Sequence, residues 1–178
     1  MIQILKDILL LLVAFTTLLM LLTFITNVFF AKVPYVPSSR ARLAQIFKKF
    51  PFKKNQLVYD LGCGDGRFLI QAEKKFGVRA IGYEIAPLPY LIAIIYRLFS
   101  RSKVQIRFAN FFKADLRDAD LIFCYLYPEI VQKVYQKISL ECRPGTKLIS
   151  NTFSIKNVQP IETYYDSQKK PQIYIYQI

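Results

Sequence analysis

The hydrophobic pattern along the chain changes character once, near its start. From Ile8 to Ala31 the sequence reads ILLLLVAFTTLLMLLTFITNVFFA without a single charge. A bilayer core of about 30 Å needs roughly 20 apolar residues in helical form. The run therefore predicts a membrane span within an N-terminal segment, residues 1–31. A cleavable signal is shorter and ends at small residues, whereas Phe29-Phe30-Ala31-Lys32-Val33-Pro34 follows here. A retained anchor is the reading adopted, with a processed signal as its alternative.

Residues 32–50 read as a juxtamembrane linker and a basic helix. Lys32-Val-Pro-Tyr-Val-Pro37 is short and stiffened by two prolines. At about 3.1 Å per residue it keeps whatever follows close to the membrane surface. Ser38 and Ser39 suit a helix N-cap, Leu43, Ile46, Phe47 and Phe50 recur at helical spacing, and Pro51 stops the run.

From residue 51 to 178 the pattern alternates between strands and helices. Strands are predicted over Gln56–Leu61, Val78–Glu84, Val104–Ala109, Asp120–Leu126 and Lys147–Phe153, with a final one over Gln172–Ile178, where QIYIYQI alternates. Helices are predicted over Gly66–Phe76, Pro87–Phe99 and Pro128–Leu140. The apolar helix Pro87–Phe99 is too short to span a bilayer. It is expected in the core, with lipid contact as the alternative. Strands alternating with helices give an α/β fold, a Rossmann-like doubly wound sheet whose ligand crevice lies at the carboxyl ends of the strands.

Composition narrows the chemistry. The chain has no His, no Trp and 3 Cys. A Ser/His or Cys/His dyad and a His-ligated metal are excluded. Cys63, Cys124 and Cys142 form no CxxC pair, so no metal site is predicted. Their odd, scattered placement argues for a reducing compartment. The net charge is +13. Lys6 and Asp7 cancel before the span, but Lys32, Arg40, Arg42, Lys48, Lys49, Lys53 and Lys54 follow it before Asp60. The positive-inside rule places this flank, and the domain after it, on the cytoplasmic side. The same cluster suits anionic lipid head groups, or serves only as a solvated, topology-setting face.

The chemistry-bearing motif is Val58-Tyr59-Asp60-Leu61-Gly62-Cys63-Gly64-Asp65-Gly66-Arg67, between the first predicted strand and helix. Glycines there permit a tight turn and close approach of a ligand to the main chain. The spacing is GxGxG; the third glycine of a dinucleotide fingerprint falls on Arg67, which disfavours NAD and FAD. No Lys-Ser/Thr pair follows, so the loop is not a P-loop. Asp60 suits a cationic amino-acid group and repels phosphate. Glu84 ends the second strand and is placed to bind a ribose diol. A ribose, a cationic amino-acid end and no phosphate describe S-adenosylmethionine. Asp60, Gly62, Gly64, Asp65, Gly66 and Glu84 are its expected contacts. Asn110 and Phe111, after the third strand, are expected to meet the adenine. Cys63 reads as a small filler.

With these residues in place the chain resembles class I S-adenosylmethionine-dependent methyltransferases. Val33-Pro-Tyr-Val-Pro-Ser38, Asp60–Arg67, Gly82-Tyr-Glu-Ile-Ala-Pro87, Tyr125-Leu-Tyr-Pro128 and Pro144-Gly-Thr-Lys-Leu-Ile-Ser150 resemble one subgroup. It contains the membrane-anchored protein-lysine methyltransferases of the adenine nucleotide translocase and the ATP synthase c-subunit, with their prokaryotic relatives. The resemblance implies a seven-strand sheet with its last strand antiparallel, and methyl transfer to lysine. The short tail suggests abbreviated last strands. Where prokaryotic relatives often show Ser-His-Asp-Phe after the fifth strand, this chain has Ser150-Asn-Thr-Phe153.

Transfer to a lysine requires a neutral amine, favoured by desolvation or a nearby proton acceptor. Without His, the polar groups at the ends of the fourth and fifth strands are Tyr125, Tyr127 and Asn151, read as the catalytic set or as wall residues. An (Asp/Asn)-Pro-Pro-aromatic motif is missing, which counts against a nucleic-acid substrate. The reading is a membrane-anchored lysine methyltransferase with a protein substrate near the membrane. The alternatives are a lipid, quinone or small-molecule methyltransferase and a non-catalytic basic membrane-surface module.

Overall fold

The computed structural model describes residues 2–26 and 37–178. The N-terminal apolar run forms one helix, α1 (Ile2–Thr26). Its Ile2–Ile25 stretch is long and apolar enough to cross a membrane, and almost none of it is buried against the rest of the chain. The end of the predicted span beyond Thr26, and the predicted linker over 32–36, lie outside the described residues.

The short helix α2 (Arg40–Lys49) starts where the Ser39 side chain accepts the Arg42 backbone N–H at 3.3 Å. Leu43, Ile46 and Phe47 form its buried face. There follow β1 (Leu57–Leu61), α3 (Arg67–Phe76), β2 (Arg79–Glu84), α4 (Pro87–Phe99), β3 (Gln105–Phe108), β4 (Leu121–Cys124), α5 (Pro128–Glu141), β5 (Lys147–Asn151), β6 (Glu162–Tyr165) and β7 (Pro171–Gln177). The strands make one seven-stranded sheet in the order β3-β2-β1-β4-β5-β7-β6. β1 to β5 are mutually parallel and β7 runs antiparallel between β5 and β6. This is the doubly wound methyltransferase sheet that the sequence reading expects.

Alternation along β1 shows how the sheet separates its two cores. Val58 packs with Phe68, Leu69, Phe123, Ile149 and the α2 side chains on one face. Leu57, Tyr59 and Leu61 pack with Ile122, Leu148, Val131, Val134 and Ile138 on the other. Successive side chains of a strand point to opposite faces, and helices on both sides bury them. Aromatic stacking bridges the first layer, with Phe68 centred 3.9 Å from Phe123 and 5.7 Å from Phe47.

Two expectations are corrected. The tail strands are not abbreviated: β7 pairs along the whole of β5, from Lys147 opposite Gln177 to Asn151 opposite Ile173. β6, absent from the pattern reading, adds outside it; of its four residues only Tyr164 is buried, so it carries no readable alternation. Second, α4 is not a core helix. Only Pro89 and Ala93 are buried, while Leu91, Ile95, Leu98 and Phe99 are exposed.

Candidate functional site

β1 is the point where the winding reverses, with β2 and β3 to one side and β4 and β5 to the other. A crevice opens at such a switch point, outside the carboxyl ends of the strands. The glycine loop leaves β1 there. Gly62, Gly64 and Gly66 hold φ of +80°, +57° and +74°, backbone that an L side chain rarely adopts. At Gly66 the backbone angle is the constraint, since a Cβ would stand in ordinary contact, 3.5 Å from Ala93 Cβ of α4.

Asp60, the fourth residue of β1, is almost wholly buried, and its Oδ1 has no hydrogen-bond partner. Burial pushes its carboxyl well above the ordinary carboxylate range, and the charges of Glu84 and Asp65 push it further in the same direction. Glu84, at the end of β2, is organised differently. Its Oε2 accepts the Gly64 N–H at 2.9 Å, and its Oε1 accepts the N–H groups of Ile85 and Ala86, each at 2.8 Å. Three main-chain donors fix the carboxylate against the loop. Oε2 retains a free lone pair for a ligand hydroxyl. Asp65 is engaged by Arg67, whose Nε and Nη2 reach it at 2.7 Å and 2.5 Å.

An orphaned buried carboxylate is costly. Here it sits with two further acidic groups, and among the described residues its Oδ1 finds no hydrogen-bond partner. A ligand with a cationic amino group at Asp60 and a hydroxyl pair at Glu84 would satisfy both. The donor set thus fits the ligand expected from the sequence. Cys63, between the glycines, is buried, and its thiol is pushed well above its usual range by burial and then by the Asp60 and Glu84 charges. It is a packing residue.

Asn110 and Phe111 stand beyond β3, where a 3-10 turn (Phe111–Lys113) begins. Asn110 Oδ1 accepts the Phe112 N–H at 2.9 Å, so the side chain also caps this turn. The Phe111 ring packs against the second core and lies 4.6 Å from the Phe112 ring.

The other three residues expected at the site divide. Asn151 ends β5 fully buried, and its amide donates to Ser38 Oγ at 3.2 Å. Tyr125 receives the Arg42 guanidinium over its ring, 5.9 Å from the centroid, and its hydroxyl accepts a long 3.4 Å bond from Nη1. Tyr127 is 43% exposed at the start of α5, with its ring 6.1 Å from that of Phe153.

Sequence reasoning missed the partners. Ser38 and Arg42, read as a helix cap and as one charge of the basic juxtamembrane cluster, turn inward. Ser38 is clamped twice, by Asn151 at its side chain and by Arg67, which donates to its carbonyl at 3.3 Å. Arg42 donates to Thr152 Oγ1 at 2.9 Å. Thr152 holds φ of +79°, strained for a β-branched residue. No linear motif announces these contacts, because the Asn151–Ser38 and Arg42–Thr152 bonds join residues 113 and 110 positions apart and Arg67 reaches Ser38 across 29. A surface groove of about 440 Å³ lies elsewhere, lined by Gln56, Asp120, Thr146 and Lys147 at the opposite strand ends.

Comparison with known proteins agrees with this fold. The ANTKMT methyltransferase domain model matches residues 60–162. A protein-lysine N-methyltransferase of Saccharolobus islandicus is 31% identical, over 82% of this chain and 94% of that protein. The adenine nucleotide translocase lysine N-methyltransferase of Mus musculus is 29% identical over 73% of this chain. The match spans only 57% of the mouse protein. Among solved structures, an RNA methyltransferase of Salinibacter ruber in complex with S-adenosyl-L-homocysteine superposes with a TM-score of 0.75 at 28% identity. That match covers 80% of this chain and 94% of the other.

Proposed function

The chain belongs to the ANTKMT methyltransferase-domain family, and from that premise we propose that it is a membrane-anchored enzyme methylating lysine on a protein held at or near the membrane. It is an S-adenosylmethionine-dependent methyltransferase. The observation that carries the reading is the orphaned, buried carboxylate of Asp60 beside the glycine loop. In this reading Asp60 takes the cationic amino group of the cofactor and Glu84 its ribose hydroxyls. Gly62, Gly64 and Gly66 let the main chain approach it, Asp65 braces the loop through Arg67, and Asn110 and Phe111 border the adenine. The cofactor, when bound, supplies an activated methyl on a sulfonium carbon.

The protein's own task is to present a neutral amine in line with that carbon in a dry site. Asn151 and Tyr125 line the acceptor side, with Tyr127 at its more exposed rim. Arg42, held over Tyr125, places a fixed positive charge beside this wall. A positive neighbour disfavours the ammonium form of an incoming lysine and so favours the amine that reacts. Membrane attachment is supported by α1, and the basic flank supports a catalytic domain on the cytoplasmic side. A membrane-associated substrate is supported by the mouse relative, named for a translocase.

The test is methyl transfer from labelled S-adenosylmethionine into membranes of cells lacking this chain, with intact protein or its Asp60→Ala variant. The expected result is label on a protein band, recovered as methyl-lysine and lost with the variant. Label confined to the organic extract would replace this reading with a lipid or quinone acceptor. Label in RNA would replace it with the activity named for the Salinibacter ruber protein.

A further inference from the structure

The outer surface of α4 is the most apolar exposed part of the catalytic domain. Leu88, Leu91, Ile92, Ile95 and Phe99 recur at helical spacing and form one outward stripe, with Leu98 and Tyr96 beside it. Phe99 is 87% exposed and Leu98 61%. Ile85 just before the helix and Phe108 at the end of β3, also exposed, extend the patch toward the cofactor end of the sheet. The Phe108 ring lies 5.1 Å from that of Tyr90 in α4. Soluble monomers rarely leave so continuous an apolar surface open, and such a patch marks an interaction site.

Two further observations say what covers it. From Ile85 to Ala114 the chain has no Asp or Glu, while Arg97, Arg101, Lys103, Arg107 and Lys113 fall within that stretch. Of these, Arg97 lies in the last turn of α4 and Arg101 and Lys103 follow directly after it, so basic groups stand at the end of the apolar stripe, the arrangement of a helix lying in an anionic lipid interface. In addition α1, the helix apolar enough to cross a bilayer, touches α4. The stripe stays exposed with α1 in place. A 13-residue helix of about 20 Å cannot span the hydrocarbon core, but it can lie along its surface.

We propose that α4 and the adjoining Ile85 and Phe108 are a second membrane contact, seated in the lipid interface. This face fixes the orientation of the catalytic domain on the bilayer. The inference goes beyond the proposed anchoring by α1 and stands on different residues. α1 alone tethers the domain and leaves it free to rotate. With α4 seated as well, the cofactor end of the sheet is held at one height and angle over the membrane. The occupant is lipid; a second copy of the chain or a protein partner is the competing cover.

The absence of Trp provides the test. Three single-Trp variants of the full chain, Phe99→Trp on α4, Leu12→Trp on α1 and Leu140→Trp on α5, are reconstituted into vesicles of phosphatidylcholine and phosphatidylglycerol. Quenching by lipids brominated along the acyl chain is compared with quenching by aqueous iodide. The proposal expects at least a two-fold loss of Phe99→Trp emission to shallow brominated lipid. It also expects a blue-shifted maximum, protection from iodide, and the reverse behaviour for Leu140→Trp, which replaces a residue 90% exposed.

Quenching at Leu12→Trp without quenching at Phe99→Trp would overturn the α4 contact and leave the anchor standing. The opposite pattern would keep the α4 contact and remove the anchor, and no quenching at either would remove both. Protection of Phe99→Trp from iodide and bromolipid alike would overturn the proposal in favour of a covering protein surface.

Discussion

Cys63 and Gly82 occupy one space between the glycine loop and β2. A Cβ placed on Gly82 would stand 2.7 Å from Cys63 Sγ and 2.9 Å from Cys63 Cβ, closer than side chains approach. Leu69 Cδ1 of α3 closes the same gap, also at 2.7 Å. The loop therefore lies on β2 only because one residue there has no side chain and its neighbour has a small one.

Gly82→Ala is accordingly expected to act at a distance from any ligand. Overpacking of a filled core costs about 1–3 kcal/mol. The melting temperature should fall by about 2–4 °C for each kcal/mol in a protein of this size. Because Cys63 must move, cofactor affinity should fall as well. Calorimetric titration with S-adenosylhomocysteine and thermal unfolding of the same preparation check both. A variant that loses stability but binds normally would show that Leu69, not Cys63, gives way.

Glu84→Gln separates charge from shape. The three main-chain donors of Gly64, Ile85 and Ala86 converge on the carboxylate. An amide keeps one acceptor oxygen and turns an NH2 toward N–H groups. An unpaired buried donor costs about 1–3 kcal/mol. The cofactor dissociation constant is expected to rise about 10-fold to 100-fold, measured by titration, with the fold intact by circular dichroism. An unchanged constant would mean that Glu84 only braces the loop.

Asn151→Ala and Tyr125→Phe probe the acceptor wall. The first removes the bond to Ser38, and the second removes the hydroxyl under Arg42. Both should leave cofactor affinity within about two-fold and lower turnover, since loss of an interaction made only in the transition state lowers kcat. A rise in the cofactor dissociation constant with either variant would place the residue on the cofactor side instead.

Local chemistry was legible in the sequence where it depends on neighbours in the chain. The Asp60-to-Gly66 loop and Glu84 could be read because turn, cap and strand end are short-range features. Asn151 could be named as a polar strand end but its partner Ser38 could not, since the bond joins residues 113 positions apart in the chain. α4 misled for a related reason. An all-apolar helix of core length is indistinguishable by pattern from one with an open outer face, and only its placement outside β2 and β3 tells them apart. β6 went unread because it has one buried residue and borrows its place from β7.

Asp60→Asn tests a pH signature whose dependence on cofactor a merely structural carboxylate would not share. The folded-state pKa of Asp60 is raised, first by burial and then by Glu84 and Asp65. An unfolded Asp titrates near about 4. Between that value and the raised one, the folded protein holds a proton that the unfolded chain has released. Stability then falls as pH rises through this window. The ligand-free protein should lose melting temperature between pH 5 and pH 8, and Asp60→Asn should lose less over the same interval. Saturating cofactor should narrow the wild-type loss, because its amino group gives the ionised carboxylate a partner. The variant should bind cofactor at least about 10-fold more weakly, the scale of one charge-assisted hydrogen bond. Thermal unfolding at the two pH values, with and without cofactor, reads all three effects. Parallel pH profiles for wild type and variant would show that Asp60 carries no such burden, and the cation-binding role assigned to it would fall.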